Sequence, residues 1–241
     1  MAKKTATRKR KPPARQAGSP RRFRPLVWAW RGVLSLLLAV VFWVGLYAFL
    51  PPPTTPYIAS EGVRLGGVHR KWVPIGDIAP VMLRSAVAAE DANFCRHWGF
   101  DMNQLRAAIA EGGNRGASTI TQQVAKNVWL WQGRSWPRKA LEAVLTPAIE
   151  ALWSKGRILE VYLNVAEFDT GVFGIEAAAQ HHFGIPARNL SPKQAALLAA
   201  VLPNPKERQA VNPSSATLRR AGAISDGAAT IRVDGRDDCF S

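Results

Sequence analysis

The run Gly116-Ala-Ser-Thr-Ile-Thr-Gln-Gln-Val-Ala-Lys-Asn127 reads as a helix with two contrasting faces. Thr119 and Gln122 make a capping box, a hydroxyl and an amide three residues apart that satisfy the first free N–H groups of a helix. Ile120, Val124 and Val128 form the apolar stripe, while Gln122, Gln123, Lys126 and Asn127 crowd the other side. A glycine followed by hydroxyls at a helix N-terminus is a usable anion site, and Lys126 stands two turns further along. Such a cap is more often only a cap; the dense polar face is what asks for a ligand.

Helical signals recur on both sides of this run. Asp77 can cap a helix predicted over residues 78–90, with Ile78, Met82 and Ala86 on one face. Asp101 and Gln104 start another, with Phe100 and Leu105 placed as its hydrophobic staple and Gly112-Gly113 as its stop. From Pro137 to about Asn164 the pattern is long and helical, and Pro147 and Gly156 should bend or divide it. Ser191-Pro-Lys-Gln194 opens an apolar helix that ends at Pro203. Alternating strand patterns are nearly absent, so the predicted fold is mainly α. After Pro203 the chain is rich in Pro and Ser, and the last twenty-five residues show no period.

The 241 residues are 47% hydrophobic, too apolar for a disordered chain, and carry a net charge of +15. Eleven of the 32 Lys and Arg residues fall in 1–31, before the first acid at Glu61, leaving 21 cations against 17 acids, or +4. The excess therefore belongs to a tail. Gly32–Leu50 follows it with nineteen uncharged residues, enough at about 1.5 Å each to cover a hydrocarbon core of roughly 30 Å. Basic residues before this stretch and none shortly after place the N-terminus in the cytoplasm, with Trp28, Trp30 and Tyr47 as interfacial aromatics. A cleaved signal peptide has a shorter apolar region, and Pro51-Pro52-Pro53 offers no small-residue cleavage site. The expected organisation is a basic cytoplasmic tail (1–31), a transmembrane signal anchor (32–50), a linker and entry segment (51–76), a catalytic domain (77–205) and a C-terminal tail without a readable role (206–241). Cys95 and Cys239 could pair in an oxidising compartment, and sequence leaves their state open. Neither CxxC nor HExxH occurs, and His181-His182 is an adjacent pair without helical ligand spacing.

Two further stretches carry candidate chemistry. Ala88-Ala-Glu-Asp-Ala-Asn-Phe-Cys-Arg-His-Trp-Gly99 puts Glu90 and Asp91 at a helix C-terminus, where the macrodipole disfavours a carboxylate and raises its pKa. A solvated helix end is the plainer reading of that stretch taken alone. Arg134, Arg138 and Glu142 follow at i, i+4 spacing, with Trp129, Trp131 and Trp136 nearby. An exposed ion pair is the plainer alternative; cations mixed with tryptophans suit contact with lipid headgroups. Two carboxylates, a cationic patch, an aromatic segment and a tether together fit a substrate with a phosphate head and a lipid tail.

The same stretches resemble the signature motifs of the bacterial peptidoglycan glycosyltransferases (glycosyltransferase family 51). Glu90-Asp91-x-x-Phe94-x-x-His97-x-Gly99, Gly116–Gln123 with Lys126-Asn127, and Arg138-Lys139-x-x-Glu142 resemble the first three. Lys155-x-x-Ile158-Leu159-Glu160-x-Tyr162-Leu163-Asn164 resembles the fourth, and Gly171-x-x-Gly174 through Ala179 with His182-Phe183-Gly184 the fifth. All five occur in the family order over roughly residues 80–205. His181-His182 departs from the pattern, standing where an aromatic commonly precedes Phe-Gly. The single anchor and short length resemble the monofunctional members, since the S-x-x-K and K-T-G motifs of a transpeptidase are missing.

The resemblance implies a lysozyme-like fold and inverting polymerisation of lipid II into β-1,4-linked glycan strands on the outer face of a bacterial cytoplasmic membrane, with release of undecaprenyl diphosphate. Glu90 would take the proton from the acceptor 4-hydroxyl, and Glu142 would assist the donor side, directly or through a divalent metal. Lys126, Arg134, Arg138 and Lys139 would neutralise the departing diphosphate. Asp91, Phe94, His97, Ser118, Thr119, Gln122, Gln123, Asn127 and Lys155 complete the expected substrate-binding set. Magnesium or manganese is expected, held mainly by diphosphate, with no protein ligand named. The implied partners are lipid II, the nascent strand, membrane lipids and other cell-wall synthesis proteins. A glycan-cleaving enzyme of lysozyme-like fold has no need of the cationic patch, and a non-catalytic scaffold has no need of both glutamates. A domain at +4 is a poor nucleic-acid binder.

Overall fold

The computed structural model describes residues 25–112, 116, 118–133 and 135–241. The basic segment 1–24 and Arg134 lie outside the described residues. The chain divides into two compact units, residues 1–39 and 40–241. α1 (Pro25–Phe49) starts earlier than the expected anchor. Its stretch Val27–Phe49, 23 residues, is long and apolar enough to cross a membrane. Within the first unit every side chain from Val27 to Ala39 is exposed.

The second unit begins in the last turns of α1. There Trp153 donates its indole N–H to the Val44 carbonyl at 2.9 Å, and Arg157 reaches the carbonyls of Tyr47 at 2.9 Å and Leu50 at 2.7 Å. A helix end leaves such carbonyls without intrahelical partners, and a guanidinium satisfies two of them here. α2 (Pro56–Leu65) occupies the expected linker. Thr55 caps it by accepting from the Ile58 N–H, Pro56 opens it, and Gly66 ends it at φ 74°.

β1 (His69–Arg70) and a 3₁₀ turn at Ile75–Asp77 lead to α3 (Pro80–Glu90). This helix starts two residues later than predicted, and Asp77 does not cap it. Proline biases the residue before it to extended backbone, and Ile78 and Ala79 are extended, so the helix begins at Pro80. α4 (Met102–Ala110) is capped by Asp101, and α5 (Ile120–Trp129) by the predicted Thr119/Gln122 box. α6 (Trp136–Leu152) runs through Pro147. The expected division falls at Trp153, where Ser154 caps α7 (Lys155–Val165).

β2 (Glu167–Asp169) and β3 (Val172–Phe173) follow; β3 lies between β1, parallel to it, and β2, antiparallel to it. Strands of two or three residues are too short to show an alternating pattern, which is why the sequence concealed them. α8 (Ile175–Phe183) and α9 (Pro192–Val201) come next. α9 is buried all round from Ala195 to Val201, and α7 buries Ile158, Leu159, Tyr162 and Leu163, so these helices form the centre of the core.

The tail that gave no pattern holds α10 (Ser215–Val233), packed on α3 and α9. Its buried stripe is Thr217, Ala221, Ile224, Ala228 and Ile231. The spacing is helical, but mostly small residues fill it, so it has little apolar contrast. Small residues let the helices close: a Cβ built on Gly227 would lie 3.2 Å from the Ala88 Cβ. Beyond α10, Cys239 is disulfide-bonded to Cys95, and Arg84 pairs with Asp237 at 3.2 Å.

Gly99 closes the loop after α3 at φ 79°, where a Cβ would meet the Thr146 Cγ2 at 2.5 Å and the Glu150 Cγ at 3.0 Å. Left-handed strain and overpacking then add, so Gly99→Ala should destabilise the fold by about 2–4 kcal/mol. Thermal unfolding of the detergent-solubilised chain checks this; an unchanged midpoint refutes it.

Candidate active site

Glu90 closes α3 and faces α5, with 13% of its side chain exposed. Gln123 donates from Nε2 to Glu90 Oε2 at 2.9 Å. The Tyr162 hydroxyl donates to Gln123 Oε1 at 3.4 Å, which fixes the amide so that its NH₂ group faces the carboxylate. Burial raises the Tyr162 pKa, with the Glu90 charge adding to it, so this hydroxyl stays a donor. Glu90 Oε1 is buried and accepts no hydrogen bond. Its nearest cation is Arg220 of α10, at 3.7 Å. Desolvation raises the Glu90 pKa above the ordinary carboxylate value, against the pull of Gln123, Arg220 and Lys126.

A second carboxylate, Glu142 on α6, is 2% exposed and sits among cations. Arg138 donates to its Oε1, and Lys139 donates to its Oε2 at 2.9 Å and to Ser118 Oγ at 2.9 Å. Lys126 joins this group electrically: its pKa is lowered by burial and then by Arg138, and that of Lys139 by burial, Arg138 and Lys126. Arg138 Nε is buried without an acceptor. Two cations thus share one carboxylate with a third, Lys126, close enough to feel Arg138, and an orphan donor remains, an arrangement suited to an anion. Glu142 has both oxygens committed and its neighbours are cations, so these residues do not fit a protein cage for magnesium or manganese.

Gln123, Lys126, Asn127 and Tyr162 line a cavity of about 390 Å³, together with Tyr57, Glu61, Gln132, Glu167 and the segment Leu202–Lys206. A smaller hollow of about 150 Å³ lies between Phe100, Leu105, Ser118, Gln122 and Lys139, an apolar wall beside an ammonium. Ser118 also lines a third hollow, with Glu90 and Thr119.

The remaining expected contacts are tied into the scaffold, although Asp91, Thr119 and Gln122 also line the hollows. Asp91 accepts from the Ile120 N–H at 3.0 Å and pairs with His97 Nε2 at 2.8 Å, which uses both oxygens. Phe94 is 0% exposed and lies under the Lys155 ammonium at 4.4 Å. Lys155 donates to the His97 carbonyl and to Glu150, tying α7 to the loop after α3. Thr119 spends its hydroxyl on the cap and the Gly99 carbonyl, and Gln122 Oε1 accepts from the Thr119 N–H. In this structure Asp91 commits both oxygens, Phe94 is fully buried and Lys155 is spent on His97 and Glu150, whereas His97 keeps its Nδ1 buried without a partner. Trp129 packs its ring 5.9 Å from Tyr47 and 5.8 Å from Trp153. Sequence reasoning missed Arg220, whose link to Glu90 exists only once α10 docks, and the Tyr57, Glu61 and Lys206 wall. Lys206 bonds Glu61 at 2.9 Å, and Tyr57 bonds Glu167.

The transglycosylase family model matches residues 60–228, which takes in α3, α5, α6 and most of α10. The chain belongs to the transglycosylase family. It is 60% identical over 214 residues to a biosynthetic peptidoglycan transglycosylase of Jannaschia sp. (strain CCS1), covering 89% of this chain and 90% of that one. Proteins of the same name from Caulobacter vibrioides (strain ATCC 19089 / CIP 103742 / CB 15) and Salmonella typhi are 45% and 50% identical, each over 86% of this chain and 93% and 92% of theirs. This transglycosylase is thus an enzyme of the peptidoglycan-synthesis class, and its mainly α, lysozyme-like fold is the expected one.

The raised Glu90 pKa has a stability consequence. Below the ordinary carboxylate range both folded and unfolded states are protonated, and Glu90 costs nothing. As pH rises above 4.5 the unfolded chain ionises while the transglycosylase resists, so stability falls until the folded pKa is passed. Glu90→Gln should therefore raise the melting temperature near pH 7 and change it little near about pH 4. An equal shift at both pH values would refute the desolvation account.

Proposed function

We propose that this transglycosylase polymerises lipid II into β-1,4-linked glycan strands, with Glu90 as the base that activates the acceptor 4-hydroxyl. The observation that carries this reading is a buried carboxylate oxygen that accepts no hydrogen bond, Glu90 Oε1, near the cation group Lys126, Arg138 and Lys139. A base must hold an open lone pair, and a departing diphosphate needs charge arranged in advance where its own charge grows. The proton on the acceptor oxygen passes to Glu90 as that oxygen attacks the anomeric carbon, and the C–O bond to diphosphate breaks on the opposite face, inverting the centre. Arg138 and Lys139, held in place by Glu142, receive the diphosphate oxygens, with Arg134 expected beside them. Ser118, Gln123 and Asn127 line the path. A divalent ion enters, in this reading, as part of the diphosphate substrate, and no step is drawn through it.

Exposed apolar residues support a lipid-borne substrate. Met102, Leu105 and Ile109 lie on one side of α4, and Trp136, 88% exposed, stands at the start of α6. In this reading they meet the bilayer beside the hollow that Leu105 and Lys139 line, and α1 anchors the enzyme with the catalytic domain on the outer face of the cytoplasmic membrane.

Incubation of the full chain with labelled lipid II and magnesium or manganese, read on a gel, should give polymer from the wild type and none from Glu90→Gln. Turnover retained by Glu90→Gln would move the base elsewhere, and shortening of preformed strands would mean a glycan-cleaving enzyme. Lys126→Ala should weaken lipid-diphosphate binding about tenfold or more, since a charge-assisted contact of 1.5–3 kcal/mol is lost. Vesicle binding should hold; equal loss of both would make Lys126 a headgroup contact.

A further inference from the structure

Asp169, His181 and His182 gather at the end of β2 and the last turn of α8, outside the set of residues assigned to the proposed reaction. The two Nε2 atoms lie 3.8 and 3.7 Å from Asp169 Oδ2, and the three donor atoms all fall within 4.8 Å of one another. Adjacent residues on a helix normally point apart. Here the helix is ending, with Gly184 in the left-handed region, and the two imidazoles meet edge to face at 4.8 Å.

We propose that Asp169, His181 and His182 form a binding site for a divalent transition-metal ion of the zinc class. Zinc with bonds of about 2.0–2.1 Å sets tetrahedral donors roughly 3.4 Å apart, so the observed spacing needs only small side-chain rotations to close. Each donor is prepared for the role. Asp169 Oδ1 is held by the Thr170 N–H at 2.7 Å in the hairpin turn, which leaves Oδ2 facing the imidazoles. His182 is 6% exposed at its side chain, and its Nε2 is buried without a hydrogen-bond partner. A buried polar atom in that state costs free energy that coordination would recover. His181 is half exposed and leaves the ion a route from solvent, with water to complete the shell.

Two imidazoles and one carboxylate favour zinc over magnesium, which separates this site from any ion carried on diphosphate. The other carboxylate–imidazole group among the described residues, Asp91, His97 and Asp101, also has a buried unpartnered imidazole nitrogen, His97 Nδ1, but its carboxylates are spent. Both Asp91 oxygens are committed, and Asp101 accepts from the N–H groups of Asn103 and Gln104 and from Asn93. An ion at Asp169 would clamp β2, whose first residue, Glu167, lines the larger cavity, to α8.

The test is calorimetric titration of the full, untagged chain in detergent with Zn²⁺ alone, paired with thermal unfolding in its presence and absence. One ion per chain is expected, with a melting temperature that rises on addition of zinc. Affinity should fall at least about tenfold in His181→Ala and in His182→Gln, and stay within twofold in His69→Ala. His181 is exposed, so its variant keeps the fold and retains the test even if the buried His182 does not tolerate change. Absence of saturable binding, or stoichiometric binding that both variants leave intact, overturns the proposal.

Discussion

Asp91 sets the geometry on which the site depends. Its side chain is 2% exposed, and a carboxylate so buried must have both oxygens satisfied. One takes the first N–H of α5, at the positive end of that helix, and the other takes His97. The residue before it in the chain is Glu90. The bond between Asp91 and Ile120 therefore fixes the end of α3 against the start of α5, and Gln123 and Lys126 follow one and two turns along. A motif that reads as a pair of acids holds one anchor, Asp91, and one carboxylate with an oxygen free of hydrogen bonds, Glu90, and the anchor holds the other in place.

Burial then works in opposite directions on the two kinds of charge. The Glu90 carboxylate is made a stronger proton acceptor, and Lys126 and Lys139 are made weaker proton holders, by the same loss of water. In each case the fold carries a penalty that an incoming anion or an accepted proton relieves. Glu142 offsets part of the repulsion within the cation group without neutralising it.

The helices with strong contrast between faces were legible: both capping boxes appear where Thr119/Gln122 and Ser191/Gln194 placed them. The motifs also located Glu90, Gln123, Lys126, Arg138, Lys139 and Glu142 in one neighbourhood. What the motif spacing could not do was sort cleft from scaffold, because Phe94 and Lys155 recur in a pattern for packing reasons as strict as chemical ones. α2 went unread although Thr55-Pro56 and Gly66 carried its start and stop; it buries only Ile58 and Glu61, too few apolar positions to show a stripe. α10 was hidden because alanine, threonine and glycine bury as well as leucine when two helices touch closely, yet give little hydropathy contrast. Arg220 went unseen with it.

The docking of α10 bears on when the enzyme becomes complete. Arg220 reaches Glu90 from the far end of the chain, and the covalent bond that secures this end joins residues 144 positions apart. All the recognisable motifs precede it. A growing polypeptide that has already made every one of them still lacks the Arg220 flank of Glu90. The surroundings of this carboxylate are whole only after residue 220 has been synthesised and packed, so the last part of the chain to be made completes a pocket whose other walls come from its middle.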